Sequence, residues 1–265
     1  MNCLIEEFKR EVTKNLEKRT SEGKCNFCGK ALNKNEFCDC PSAKKVNRYY
    51  KKVFEKLTSY NTHLALNRDI NEAVKIVSST FYIPPLFEGV TFDDYKCECE
   101  SEENGKKAVA NYFNNAIKNF LYGKNLMLVG ASGTGKTMLE SILCMSLAKK
   151  WLFNCQFINA VDLKSEITKC FNSKSQKTVN EVVNRYKTAD FLFLDDIDKL
   201  TPTEYVREFV YSLVNYRVER QLPIITSANH SLEDLDSQFY GEVIVSRLIN
   251  NSPVVIFSHK NRRFK

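Results

Sequence analysis

Apolar and polar positions along the chain fall into blocks, and the period of each block predicts an element. Residues Leu4 to Leu16 repeat with helical spacing. From Lys44 to Tyr60, Val46, Tyr49, Tyr50, Val53, Phe54 and Leu57 recur at threes and fours, with Lys44, Lys45, Arg48, Lys51, Lys52 and Lys56 between them. That pattern predicts a basic amphipathic helix. A weaker helical stretch, Asn67 to Ser79, gives way to Ile83-Pro84-Pro85, where two prolines stop a helix and favour an extended backbone. The sequence therefore predicts a small, mostly helical domain over 1–80, a linker over 81–105 and a larger domain over 106–265.

Beyond the prolines, strand and helix patterns alternate. Strands are predicted at Leu126–Val129, Gln156–Asn159, Phe191–Leu194, Pro223–Ser227 and Val254–Phe257, and helices at Thr137–Lys150, Val161–Phe171, Val179–Lys187 and Glu204–Arg220. Lys106 to Lys124 is basic and aromatic, but the helical spacing of Val109, Phe113, Ile117 and Phe120 assigns it to core packing. Such alternation predicts an α/β fold, a five-stranded parallel sheet with helices on both faces. No internal repeat or low-complexity tract interrupts it.

Composition narrows the class. With 265 residues and 43% hydrophobic side chains, the chain can bury a real core. No stretch approaches the ~18 consecutive apolar residues of a membrane helix, and Met1 to Arg10 carries charges where a signal peptide would be apolar. A cytoplasmic protein with no membrane association is expected. Residues 1–80 hold 16 Lys+Arg against 10 Asp+Glu, so most of the net charge of +7 lies at the front. This basic front suits nucleic acid or an acidic protein surface, and equally a solvated lysine face.

The ten cysteines, in a chain of this length without a secretory signal, are expected as thiols or metal ligands. Cys25-x-x-Cys28, nine residues, then Cys38-x-Cys40 supplies the four thiolates of a closed tetrahedral Zn²⁺ site. The tight second spacing makes Cys40 the weakest member, with Cys3 or His63 as substitutes. The first pair alone also fits a redox motif, although no thioredoxin-like pattern surrounds it. Cys97 and Cys99 are expected in solvent-exposed linker.

Gly130-Ala131-Ser132-Gly133-Thr134-Gly135-Lys136-Thr137 fits the phosphate-binding loop G-x-x-x-x-G-K-[ST], between a predicted strand and a predicted helix as that motif requires. The glycines free backbone N–H groups for phosphate, the helix N-terminus adds a favourable dipole, Lys136 reaches the β and γ phosphates, and Thr137 binds Mg²⁺. Met138 opens the helix beside the nucleotide. Phe191 to Leu194 followed by Asp195-Asp196 places two carboxylates at the end of an apolar strand, the Walker B arrangement. Asp195 is the expected magnesium ligand, and Asp196 stands where many ATPases have a glutamate that orients water. Its side chain is one methylene shorter, which predicts slow turnover. Asn229, after the strand Pro223–Ser227, would face the γ phosphate if that strand lies between the other two. A plain turn asparagine is the competing reading. Arg247, on a short apolar helical segment, fits either an arginine finger completing a neighbouring subunit's site or a surface ion pair.

Together, residues 83 to 265 resemble AAA+ ATPases, in particular the DnaC/DnaI-type replicative helicase loaders and their IstB-like relatives. The likeness is carried by Ile83-Pro84-Pro85 with Thr91-Phe92-Asp93, by Gly133-Thr134-Gly135-Lys136, by Asp195-Asp196, and by the tail from Ser246-Arg247-Leu248 to Val254-Val255-Ile256-Phe257. It implies an AAA+ sheet, ATP and Mg²⁺ as ligands, a trans-acting arginine at Arg247 and a nucleotide-sensing arginine at Arg263 or its neighbour Arg262. It also implies a DnaB-type hexameric helicase and single-stranded DNA as partners, and homo-oligomers in the ATP state. Only eight residues follow Phe257, so a full C-terminal lid is not expected. Lys164, Lys169, Lys174 and Lys177 are candidate DNA contacts, or a solvated face. An IstB-like helper of a transposase and an ATP-binding adaptor with negligible hydrolysis remain as alternatives.

Overall fold

The computed structural model divides the chain into two compact units, Met1–Arg68 and Asp69–Lys265. It describes residues 30–31, 83–151, 153–170, 178–250 and 252–258, so the fold presented is that of the second unit. The zinc assignment to Cys25, Cys28, Cys38 and Cys40, the basic helix at 44–60, Lys174, Lys177 and the sensing arginine Arg263 lie outside the described residues.

Five strands form one sheet: β1 (Leu126–Gly130), β2 (Cys155–Asn159), β3 (Phe191–Asp195), β4 (Ile224–Ala228) and β5 (Val254–Phe257), in the order β2-β3-β4-β1-β5. Every pairing is parallel. Successive residues of β3 and β4 are all buried, which requires cover on both faces and explains why these strands read as continuous apolar runs rather than alternating ones. At the edge, β5 leaves Ile256 65% exposed.

Helices α1 (Glu100–Asn114) and α2 (Ala116–Tyr122) precede β1, and α3 (Lys136–Trp151) follows it. Next come α4 (Ala160–Cys170), α5 (Val179–Thr188) and α6 (Glu204–Glu219). A helical turn (Leu232–Asp234) runs into a π-helix (Leu235–Tyr240) ahead of α7 (Glu242–Ile249). Local chemistry sets several boundaries. Thr178 and Glu181 form a reciprocal capping box at the start of α5, and the Thr203 hydroxyl accepts from Val206 N–H at the start of α6.

One expectation is corrected and one is refined. The stretch 106–124 assigned to core packing does bury Val109 and Phe120, with Phe113 and Ile117 half-buried, but it is divided between two helices, the backbone leaving helical geometry at Asn115 (φ −100°, ψ 20°). There the side-chain amide donates to the Asn111 carbonyl at 2.9 Å, in competition with the helical ladder. The expected exposed linker is also partly packed: Ile83 and Tyr95 are buried, Cys97 and Cys99 are half-buried, and α1 begins at Glu100. Tyr95 is covered because it lies against the phosphate loop: its hydroxyl donates to the Thr134 carbonyl at 3.4 Å. Lys106 secures the segment by donating to the Tyr95 carbonyl at 3.0 Å.

Candidate nucleotide site

The loop between β1 and α3 is bent by Gly133 and Gly135, with φ of 78° and 87°. An L side chain at Gly135 would be strained at that φ, and its Cβ would come within 2.8 Å of the Tyr95 hydroxyl. The buried segment before α1 thus helps define the loop. Lys136 starts α3 and is almost wholly buried. Its ammonium donates to the Gly130 carbonyl at 2.5 Å, the Ala131 carbonyl at 3.0 Å and Asn229 Oδ1 at 3.1 Å. Burial lowers its pKa, while the carboxylates of Asp196, Glu140, Asp198 and Asp195 favour the charged form.

The parallel order brings the chemistry to the carboxyl edge of the sheet. Because β4 lies between β3 and β1, the ends of the two Asp-bearing and Asn-bearing strands flank the loop. The Thr137 hydroxyl donates to Asp195 Oδ1 at 3.0 Å, and Ser227 Oγ donates to the same oxygen at 2.6 Å. Asn229 Nδ2 donates to Asp196 Oδ1 at 3.0 Å. Asp196 also pairs with Lys199 and adopts a left-handed backbone at φ 52°, an uncommon conformation that recurs at functional turns.

One cleft is lined by Phe87, Ser132, Gly133, Thr134, Gly135, Lys136, Thr137, Met138, Asp196, Lys199 and Asn229. Most residues singled out in the sequence therefore converge, with Asp195 directly behind Thr137. Arg247 is not among the residues lining this cleft. Its Nε donates to Asn215 Oδ1 at 3.0 Å and its guanidinium to the Val243 carbonyl at 2.8 Å, beside the Tyr211 ring. Lys164 and Lys169 are exposed on α4. Among the described residues, no three His, Cys, Asp or Glu side chains are grouped as a metal site, so Cys97 and Cys99 gain no further ligand there.

Sequence reading missed four contributors. Ser227 and Asp198 lie close to the recognised motifs and carry polar groups that an inspection of strand ends would have flagged. Glu140 lies on what reads as the apolar run of α3, yet it is fully buried. Burial first, and the neighbouring Asp195 second, raise its pKa well above the carboxylate range. Tyr95 gave no sequence signal beyond being aromatic.

The donors of Thr137 and Asp195 are oxygens only, a set that fits Mg²⁺, which prefers oxygen and keeps several of its waters. Phosphate loop, buried lysine and paired carboxylates together form an arrangement that fits a nucleoside triphosphate with its magnesium.

The profile of the AAA family, "ATPase family associated with various cellular activities", matches residues 126–249. The replicative helicase loader DnaC of Escherichia coli (strain K12) is 27% identical over 206 residues, covering 75% of this chain and 80% of that protein. The replicative helicase loader DnaI of Bacillus subtilis (strain 168) is 32% identical over 118 residues, covering 44% and 37%. A crystal structure of the DnaC helicase loader superposes with a TM-score of 0.59 at 21% identity, covering 66% of this chain and 100% of that one. Motif geometry and sheet order agree with these likenesses: residues 126–249 are similar to the AAA ATPase family, and the chain is similar to the DnaC and DnaI replicative helicase loaders.

Proposed function

We propose that the protein is an ATP-dependent loader of a DnaB-type replicative helicase, acting in the cytoplasm. The observation that carries this reading is the nucleotide site, Lys136, Thr137, Asp195, Asp196 and Asn229 meeting at one sheet edge, within a chain similar to DnaC over 75% of its length.

In this account Lys136 exchanges its carbonyl contacts for the β and γ phosphates, and the N–H groups of residues 132–137 receive the phosphate oxygens. Thr137 and Asp195 hold Mg²⁺, which when bound neutralises charge on the phosphates. Asp196 orients the attacking water. Its pairing with Lys199 and Asn229 must loosen for that task, which, with its short side chain, favours slow turnover. Asn229 reads the presence of the γ phosphate. Arg247 leaves its contacts with Asn215 and Val243 to complete the site of a neighbouring copy, so hydrolysis depends on homo-oligomer assembly. Arg263 is the proposed second sensor.

Residues 1–80, organised by Zn²⁺ on Cys25, Cys28, Cys38 and Cys40, grip the helicase. Single-stranded DNA is held by the assembled ATPase domains, with exposed Lys164 and Lys169 among its contacts. ATP stabilises the DNA-holding assembly, and hydrolysis releases the loader. Turnover with and without single-stranded DNA tests the ATPase reading: DNA should raise the rate, the gain should fade with added salt, and absence of turnover under both conditions would leave only a nucleotide-binding adaptor.

A further inference from the structure

Asp198 takes no part in the motifs of the nucleotide site, yet its side chain is only 1% exposed. It lies in the short turn that follows β3, two residues beyond Asp196. Its carboxylate is occupied almost entirely by the segment that follows β4. Oδ2 accepts from the backbone N–H of Asn229 at 2.7 Å and of His230 at 2.9 Å, and the His230 ring places Nδ1 2.5 Å from the same oxygen. Oδ1 accepts from Asn229 Nδ2 at 3.3 Å. Charge-assisted bonds of this kind are about twice as strong as neutral ones, and four of them converge on one buried side chain.

An asparagine amide can face either way. At Asn229 the choice is fixed by chemistry, because Oδ1 meets the Lys136 ammonium, a donor, while Nδ2 meets carboxylate oxygens of Asp196 and Asp198, which only accept. Asp196 alone would leave the backbone of residues 229–230 unheld. Asp198 holds backbone and side chain together, and it does so from the turn that directly follows β3 and Asp196. His230 extends the grip, its ring 5.0 Å from that of Phe239 in the π-helix, a helix type often found at functional sites.

We propose that Asp198 is a positioning residue for nucleotide discrimination: it keeps its clamp on Asn229 while Asp196 lets go, so that the Nδ2 hydrogen Asp196 releases is presented to the γ phosphate. This rests on the reading of Asn229 as the γ-phosphate sensor. Without the clamp, the site still binds the parts of the nucleotide shared by ATP and ADP, through Lys136 and the loop. What it loses is the preference between them.

The test measures, on the full-length protein with Mg²⁺, the affinities for ADP and for a non-hydrolysable ATP analogue, in wild type, Asn229→Ala, Asp198→Ala and the double variant. Loss of one charge-assisted contact is worth about tenfold, so each single variant should lower the preference for the analogue by about that factor. The double variant should lower it no further, since coupled residues are not additive. Asp198→Asn keeps the shape and guards against misfolding. Its amide oxygen still accepts the two backbone N–H groups, but its NH₂ then opposes Asn229 Nδ2, so the same loss is expected. If Asn229→Ala lowers the preference and both Asp198 variants leave it intact, or weaken the two nucleotides equally, Asp198 merely closes a turn and the proposal is overturned. If Asn229→Ala itself changes nothing, the sensor reading fails and the clamp has no function to serve.

Discussion

Arg217 on α6 offers a test of how the sheet is held together at the end away from the nucleotide. The side chain is fully buried. One guanidinium nitrogen donates to the carbonyls of Tyr186, Lys187 and Ala189 at 2.7, 3.2 and 3.0 Å, and the other to those of Asp190 and Pro223 at 3.4 and 2.7 Å. It therefore ties the end of α5 to the segments leading into β3 and β4, the strands that carry Asp195 and Asn229. Burial pulls its pKa down to about 9, with Asp190 opposing the shift, so it remains a cation at neutral pH. Arg217→Met preserves bulk but strands buried carbonyls, a loss offset in part because a cation no longer has to be desolvated. Each buried carbonyl left without its donor costs about 1–3 kcal/mol, so several stranded together, less that offset, come to about 3–5 kcal/mol. In a domain of this size that is a fall of about 6–20 °C in Tm. Thermal melting followed by circular dichroism measures it. Well below the melting transition, nucleotide affinity should stay near wild type, because no guanidinium contact lies at the site. A Tm within about 2 °C of wild type would refute the reasoning that these carbonyls depend on Arg217.

Other expectations concern the site itself. Lys136→Ala removes the ammonium that faces the phosphates and should weaken ATP binding about 10–100-fold in equilibrium titration; unchanged affinity and turnover would sink the site assignment. Arg247→Ala should leave ATP binding intact while stimulated turnover falls by about 10³-fold, and mixing it with an Asp195 variant should restore part of the rate. No recovery at any mixing ratio would make Arg247 structural. Glu140 has a folded pKa raised above its ordinary value of 4.5, so the folded chain holds a proton that the unfolded chain releases. Its contribution to stability is complete below that value and declines as pH rises toward the folded pKa. Glu140→Gln should accordingly melt higher than wild type near pH 8 and converge with it toward pH 5, and a parallel offset at both pH values would contradict this.

The central strands were legible because burial on both faces leaves a direct mark, an unbroken apolar run such as Phe191–Leu194 or the start of β4 at Ile224. The phosphate loop was legible for a similar reason: the backbone it needs admits glycine at Gly133 and Gly135. Asn229 could be assigned a place only conditionally, since its position depends on strand order, and β4 does lie between β3 and β1. What escaped were features set by tertiary contact. Tyr95 is core only because the folded loop offers Thr134 and Gly135 as a surface, and a local reading of 81–105 sees prolines and charges. Glu140 occupies a helical position that packs beneath Asp195, where propensity is silent. Asp198 stands near a strand end, where its presence is visible, but its role is not, because its donors come from residues 31 and 32 positions away.

Every role proposed for these residues serves delivery of a replicative helicase. The most direct measurement is affinity capture of the tagged full-length protein from its native lysate in the presence of ATP, with mass spectrometric identification of what it retains. Recovery of a DnaB-type helicase is expected, and its loss when residues 1–80 are deleted. Recovery of a transposase in its place, or of a helicase whose retention is indifferent to that deletion, would contradict it.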